Sequence, residues 1–387
     1  MVLAFAVLPA LAQPGAQSGK PDQPPDPPKA AAQSVGLQQT SRAKLNQETL
    51  VIAAGRPGTS YMAMAGDLAV AAGASGGLRL LPVAAEGGVR NLQDLLFLRG
   101  VDLAIVPANV LAHARATKAF GSSLPRKVAY VTALYSEGVH VVAGREIAAI
   151  GDLRGKRIAI PAGDGTVQFT ASDILKRLDL AAESVPMGPA DALEEVRDGK
   201  LAAVLLVGVK PMVQVSALPK DGSLRLLSLP IQALPADGYA PAVFLPEDYP
   251  ALIPPGAIVE TVAVSAVLMA KRSADEAGRR VARHMPALLA AIGALAASER
   301  HRSWRDVNLG AVLPGWLRVE AAEKWLSVAV AQRKQQLKGA PVSVSRPPVA
   351  QKPVKSTGLS APHTRRKVLD EFETWARQSA DAQSAPE

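Results

Sequence analysis

Residues 49–70 read TLVIAAGRPGTSYMAMAGDLAV, and the order of residue types in this stretch decides the fold class. Thr49–Ala53 is a short apolar run of strand type. It enters the turn-rich stretch Gly55-Arg56-Pro57-Gly58-Thr59-Ser60-Tyr61, and helical spacing of apolar residues follows through Val70. Strand, glycine-bearing turn and helix make the first half of a βαβ unit. The pattern continues with a strand over 78–83, a turn at Glu86-Gly87-Gly88, a helix over 89–98 and a strand over 101–106. Strands over 128–134 and 139–143 close this first series. A second series begins at Ile150, with a strand over 157–160, the turn Gly163-Asp164-Gly165-Thr166 and a helix through Leu178. A helix over 190–199, a continuous apolar strand over 201–207 and a short strand over 224–229 follow. The chain then shows a long strand over 261–270, an Ala-rich helix over 273–297 that Pro286 and Gly293 should kink or split, and a helix over 319–330. The expectation is an α/β fold: two doubly wound α/β lobes joined by crossover strands.

Composition narrows the function classes. Of 387 residues, 48% are hydrophobic and 20% charged, enough to build a sizeable core. Cysteine is absent, which removes disulfides, thiolate nucleophiles and Cys-ligated metals together. The net charge of +9 is local: residues 331–367 hold nine Lys or Arg and no acid, so the remainder is balanced. A basic binding face for nucleic acid is therefore not expected on the folded part.

The ends read differently from the body. Residues 1–12, MVLAFAVLPALA, resemble the apolar core and Ala-x-Ala cleavage site of a signal peptide, lacking its positively charged start. The run is too short to span a bilayer. Residues 13–44 read as a Pro-rich disordered linker, and 336–387 as a basic low-complexity tail with a short amphipathic helix near 366–377.

Three loops, 55–61, 86–88 and 163–166, each contain Gly and precede a helix. Backbone N–H groups and the positive helix end suit a carboxylate or phosphate there, although Gly and Thr in such places also serve simply as helix caps. Catalytic signatures are missing: no G-x-S-x-G elbow, no HExxH pair, no phosphate loop of correct spacing. No cofactor or metal is expected, and binding rather than catalysis is indicated.

The stretches VIAAGRPGTSYMAMAGDLA (51–69), EGGVRNLQDLLFLRGVDLAIVPANV (86–110), ALYSEGVHVV (133–142), DLRGKRIAIPAGDGT (152–166) and VETVAVSAVLMA (259–270) together resemble the TAXI-type solute-binding proteins of tripartite ATP-independent periplasmic (TRAP) transporters. The resemblance implies a bilobal type II periplasmic-binding-protein-like fold, with lobe 1 at 45–142 plus 264–335 and lobe 2 at 143–263. It implies a periplasmic receptor for a small carboxylate-bearing solute, an amino acid or dicarboxylate, working with membrane permease subunits. It places ligand contacts at Gly58, Thr59, Ser60 and Tyr61, at Glu86, Gly87, Gly88 and Asn109, at Gly163, Asp164, Gly165 and Thr166, and around Gly208 and Lys210. Arg56 or Lys210 would supply the counter-charge. A receptor of the same fold serving a signalling partner is the alternative. A periplasmic enzyme on this scaffold is a weaker one, since no nucleophile and base can be assembled.

Overall fold

A computed structural model describes residues 29–74, 77–234, 238–298 and 302–339. The proposed signal segment and the 366–377 helix lie outside these. Met1–Gln47 and Glu48–Glu387 are separate compact units. In the first, helix α1 (Lys29–Glu48) replaces the linker expected through residue 44. Its sequence has left the prolines behind and is rich in Ala, Gln and Lys, all good helix formers.

The second unit runs β1 (Thr49–Ala53), α2 (Ser60–Ala74), β2 (Arg79–Val83), α3 (Gly88–Phe97), β3 (Leu103–Pro107), α4 (Ala108–Ala116), α5 (Leu124–Lys127) and β4 (Val128–Gly144). It continues with β5 (Arg157–Pro161), α6 (Gly165–Arg177), β6 (Glu183–Met187), α7 (Pro189–Arg197), β7 (Ala203–Gly208), α8 (Val213–Ser216), β8 (Leu224–Leu226) and β9 (Ala240–Phe244). Strand β10 (Val259–Lys271) and helices α9 (Glu276–Ala296) and α10 (Glu320–Gly339) complete it.

The strands form one sheet in the order β2-β1-β3-β10-β4-β7-β5-β6, with β8 on β4 and β9 on β10. Its two halves repeat one plan. In the first, β1 lies between parallel β2 and β3, and antiparallel β10 follows. In the second, β5 lies between parallel β6 and β7, and antiparallel β4 follows.

Both faces of each half are covered, which explains why the central strands are apolar throughout. Leu103 and Ile105 of β3 meet α2 and α9 on one face, while Ala104 and Val106 meet α3 and α4 on the other. In β7, Ala203, Leu205 and Val207 join the core beneath α6, and Val204 and Leu206 join that beneath α7. This is the bilobal type II periplasmic-binding-protein-like arrangement.

Two strands belong to both lobes. β10 pairs with β9 over Val259–Ala263 and with β3 over Ala266–Ala270. β4 pairs with β10 up to Gly138, and from Gly138 onward with β7. The ladder between β4 and β10 is irregular between Ser265 and Val267, beside that exchange.

Several elements differ from expectation for local reasons. The two strands expected at 128–134 and 139–143 are the single strand β4; Ser136-Glu137-Gly138 interrupts its apolar pattern without interrupting its pairing. Helix α9 continues through Pro286 instead of splitting. Its buried stripe of Val281, Met285, Leu288, Leu289 and Ile292 holds it against lobe 1. Strands β6 and β9 carry Pro186 and Pro241, as edge strands can; β6 is largely exposed and β9 is mostly half-buried.

One buried ion pair ties β3's entry to α9. Arg280 donates to Asp102 at 2.5 Å, and Asp102 also accepts the Val51 N–H at 3.0 Å. Burial still holds the Asp102 carboxyl above its ordinary range, so the pair offsets a desolvation penalty. Arg280→Ala leaves that carboxylate unpaired and should lower stability by about 3–5 kcal/mol in urea unfolding. A loss below about 1 kcal/mol would contradict this role.

Candidate functional site

The loops between β1 and α2, β2 and α3, and β5 and α6 leave the carboxyl ends of parallel strands and meet where the lobes face each other. That is the ligand address of open α/β sheets. From lobe 1 they bring Gly55, Arg56, Thr59, Ser60, Tyr61, Glu86 and Gly87; from lobe 2, Gly163, Asp164 and Thr166. Glu137 of β4 and Val207 of β7 complete the lining. The enclosed cavity measures about 10 Å³, room for roughly one water. The lobes are closed on one another.

Backbone contact makes this closure possible. Gly165 N–H donates to the Glu86 carbonyl at 2.7 Å. Gly88 N–H donates to Thr166 Oγ1 at 3.1 Å. Gly88 has φ +55, and a Cβ on it would overlap the Gly165 carbonyl.

The helix starts are largely occupied by the chain's own side chains. Asp164 caps α6, accepting from Thr166 N–H at 2.9 Å and Val167 N–H at 3.3 Å. Asn91 accepts the Gly87 N–H at 3.0 Å; its own amide donates to the Ile105 carbonyl at 2.7 Å and to that of Ala54. It thereby fixes the Glu86-Gly87-Gly88 turn to the ends of β1 and β3. Thr59 Oγ1 donates to the Arg56 carbonyl at 2.7 Å and accepts from Met62 N–H at 3.4 Å.

Glu137 is 3% exposed. Ser60 Oγ donates to its Oε1 at 2.5 Å. Burial pushes the Glu137 carboxyl up to about 8; the Ser60 hydrogen bond opposes the rise and the Asp164 charge adds to it. Tyr61 and Tyr135 sit edge to face, with ring centres 6.3 Å apart. Both hydroxyls are buried without a well-formed hydrogen bond, and burial raises both phenols well above their usual range. Asp164 is also raised, chiefly by burial. Arg56 stands at the rim 3.6 Å from Glu86, both side chains more than half exposed.

Most of the expected site residues therefore gather here. Gly88 and Gly165 form the seam beside the cavity, and exposed Gly58, φ +85, turns the first loop. Others lie elsewhere. Asn109 is buried at a second lobe contact, donating to Thr170 Oγ1 at 2.9 Å and Tyr239 Oη at 3.0 Å, while Tyr239 donates to Asp173 at 2.7 Å. Gly208 pairs with Gly138 in the sheet. Lys210 donates to the Val243 carbonyl at 2.8 Å and to Asp248 at 2.9 Å. Its charge is thus engaged within lobe 2, away from the cavity lining.

Glu137, Tyr135 and Asn91 escaped the sequence reading. The available signal was an acid and a Tyr two apart in an apolar strand, hence on one face. Among the described residues, no group of three or more His, Asp or Glu converges on a possible metal position. No helix among them is long and apolar enough to cross a membrane.

Residues 52–313 match the NMT1-like family, and the chain belongs to that family. No curated protein matches it in sequence. Among solved structures it is similar to XAC2383 from Xanthomonas citri bound to chloride ion, at 13% identity and TM-score 0.43, over 75% of this chain and 99% of that one. It is similar to a TctC solute binding protein from Polaromonas, at 12% identity and TM-score 0.42, over 75% and 96%. It is also similar to the alkanesulfonate-binding protein SsuA from Xanthomonas axonopodis pv. citri bound to MOPS, at 19% identity and TM-score 0.40, over 75% and 91%.

Glu137 makes stability depend on pH. Burial moves its carboxyl from the ordinary value of 4.5 up to about 8 in the folded protein. Between these values the folded state keeps a proton that the unfolded chain has released. The resulting stabilisation is complete below 4.5 and disappears as pH rises to about 8. Buried His140, lowered to about 3, acts in the opposite sense, losing stability as pH falls below 6.5. Glu137→Gln leaves the His140 contribution in place. Urea midpoints of the variant should therefore rise relative to wild type from pH 5 to 8; parallel profiles would refute the assignment.

Proposed function

We propose that this protein is an extracytoplasmic solute-binding receptor that captures a small organic acid between its lobes for a TRAP-type transporter. The observation that supports this best is the closed, buried polar cavity lined from both lobes, at the strand ends where the shared strands change partners. In this reading the lobes swing about Gly138 of β4 and the stretch between Ala263 and Ala266 of β10, so that residues 139–142, expected with lobe 1 (45–142 plus 264–335), would move with lobe 2 (143–263), whose strand β7 they pair with. The solute's carboxylate would meet Arg56 and the first-turn amides of α2 at Ser60 and Tyr61. Gly87, Gly163 and Thr166 would wall the solute in when the lobes close. Only the closed form offers contacts from both sides, so the solute draws the population toward it. The apolar N-terminal segment supports export to the periplasm, and permease subunits are the expected partners.

The full chain should gain melting temperature with at least one small acid in a panel containing L-glutamate, L-aspartate, succinate, glutarate and the other common L-amino acids. Saturation at 100 times Kd adds about 2.7 kcal/mol. Gly88→Ala, whose methyl would strike Gly165, should hold the lobes apart and abolish that gain while the protein stays folded. Absence of any gain with wild type, or an equal gain with the variant, would refute the receptor reading.

A further inference from the structure

We infer that Glu137 reads a positively charged nitrogen on the solute, so that the ligand is an amine-bearing acid rather than an acid without an amine. This rests on the receptor reading above and names its specificity residue. The charges around the cavity decide it. Glu137 comes from β4, Asp164 from the α6 start and Glu86 from the turn before α3; Arg56, before α2, is the cation in the lining. Arg56 already stands 3.6 Å from Glu86. A dicarboxylate would add two negative charges beside the Glu86 and Asp164 carboxyls, with one guanidinium in the lining and Glu137 held neutral by its proton. A solute with one ammonium and one carboxylate adds none.

The hydrogen-bonding capacity points the same way. An ammonium group brings three donors and no acceptor. Glu137 can accept, and the buried hydroxyls of Tyr61 and Tyr135 stand beside it as further oxygen atoms at the same end of the cavity. The Ser60 hydroxyl, donating to Glu137, fixes the carboxyl that would receive the charge. The solute's carboxylate would then point outward to Arg56 and the start of α2. With the empty cavity near 10 Å³, the lobes part to admit such a molecule and close again with it between them. An entering ammonium ionises a carboxyl that burial had kept protonated. One proton then leaves for solvent, and affinity rises with pH toward about 8. The ionisable neighbours in this step are Tyr61 on α2, Tyr135 on β4, Asp164 at α6, and the rim pair Arg56 and Glu86.

Matched pairs test this on the full chain by titration calorimetry: L-glutamate against glutarate, L-aspartate against succinate, and L-alanine, L-leucine and L-phenylalanine against their desamino acids. The expected result is binding by at least one amine-bearing member, at least tenfold weaker binding by its desamino partner, and at least tenfold loss on Glu137→Gln. The melting temperature of the empty variant reports its folding. If that variant fails to fold, the wild-type pairs still decide, and Ser60→Ala should show a smaller loss in the same direction. Glutarate or succinate binding as tightly as its amine partner, or unchanged affinity in folded Glu137→Gln, overturns this inference and leaves the receptor reading standing. Failure of every probe in both classes removes the receptor reading and this inference together.

Discussion

The closed state depends on two helix starts coming into backbone contact, Gly88 at the head of α3 and Gly165 at the head of α6. Each start carries the positive end of a helix dipole, so bare contact between them would be repulsive. Two side chains of the second lobe change that balance. The Asp164 carboxyl lies over the first turn of α6, and the Thr166 hydroxyl accepts the Gly88 N–H. The lobes then join through hydrogen bonds that each lobe lacks when separate. Glycine is required because any Cβ at Gly88 occupies the space of the Gly165 carbonyl. At its strand junction Gly138 has a similar constraint: a Cβ there would lie 2.8 Å from the Phe244 ring.

The same economy of space alters what the amide-rich loops can do. A helix start whose N–H groups are already taken by Asp164 or Asn91 has less to offer an incoming anion. The start of α2 differs, because Thr59 takes only the Met62 amide at 3.4 Å. Glycine-rich loops before three helices therefore do not amount to three equivalent anion sites. One start keeps capacity for a ligand, and the others position the walls.

Much of the architecture could be read from periodicity because both faces of the central strands are buried. Apolar runs such as LAIV at 103–106 and LAAVLLV at 201–207 suit strands buried on both faces. Strands β6 and β9 were hidden because Pro186 and Pro241 sit in short edge segments with weak alternation. α1 was hidden because its sequence shows helix-forming residues without an apolar stripe. In the site, loop residues such as Thr59, Asp164 and Thr166 were visible because glycine marked their turns. Glu137 lay in a quoted stretch, yet nothing local distinguishes a buried acid from an exposed one. Its burial arises from Tyr61, Ser60 and Asp164, which come from distant parts of the chain. Lys210 shows the converse, since the partner that engages it, Asp248, is 38 residues away.

Glu137 also stands next to the residue at which β4 exchanges neighbours. Gly138 faces β10 on one side and β7 on the other, so a change in the angle between lobes would pivot one residue from the buried carboxyl under the proposed swing. Opening would admit water to that carboxyl and return it toward its ordinary acidity. Closing on an empty cavity removes water and favours the protonated form, and closing on a cation removes water while keeping the charge paired. These three states differ in bound protons as well as in shape. In the proposed receptor, lobe closure and the charge of the trapped molecule would thus be linked through one side chain, without any signal having to travel across the protein.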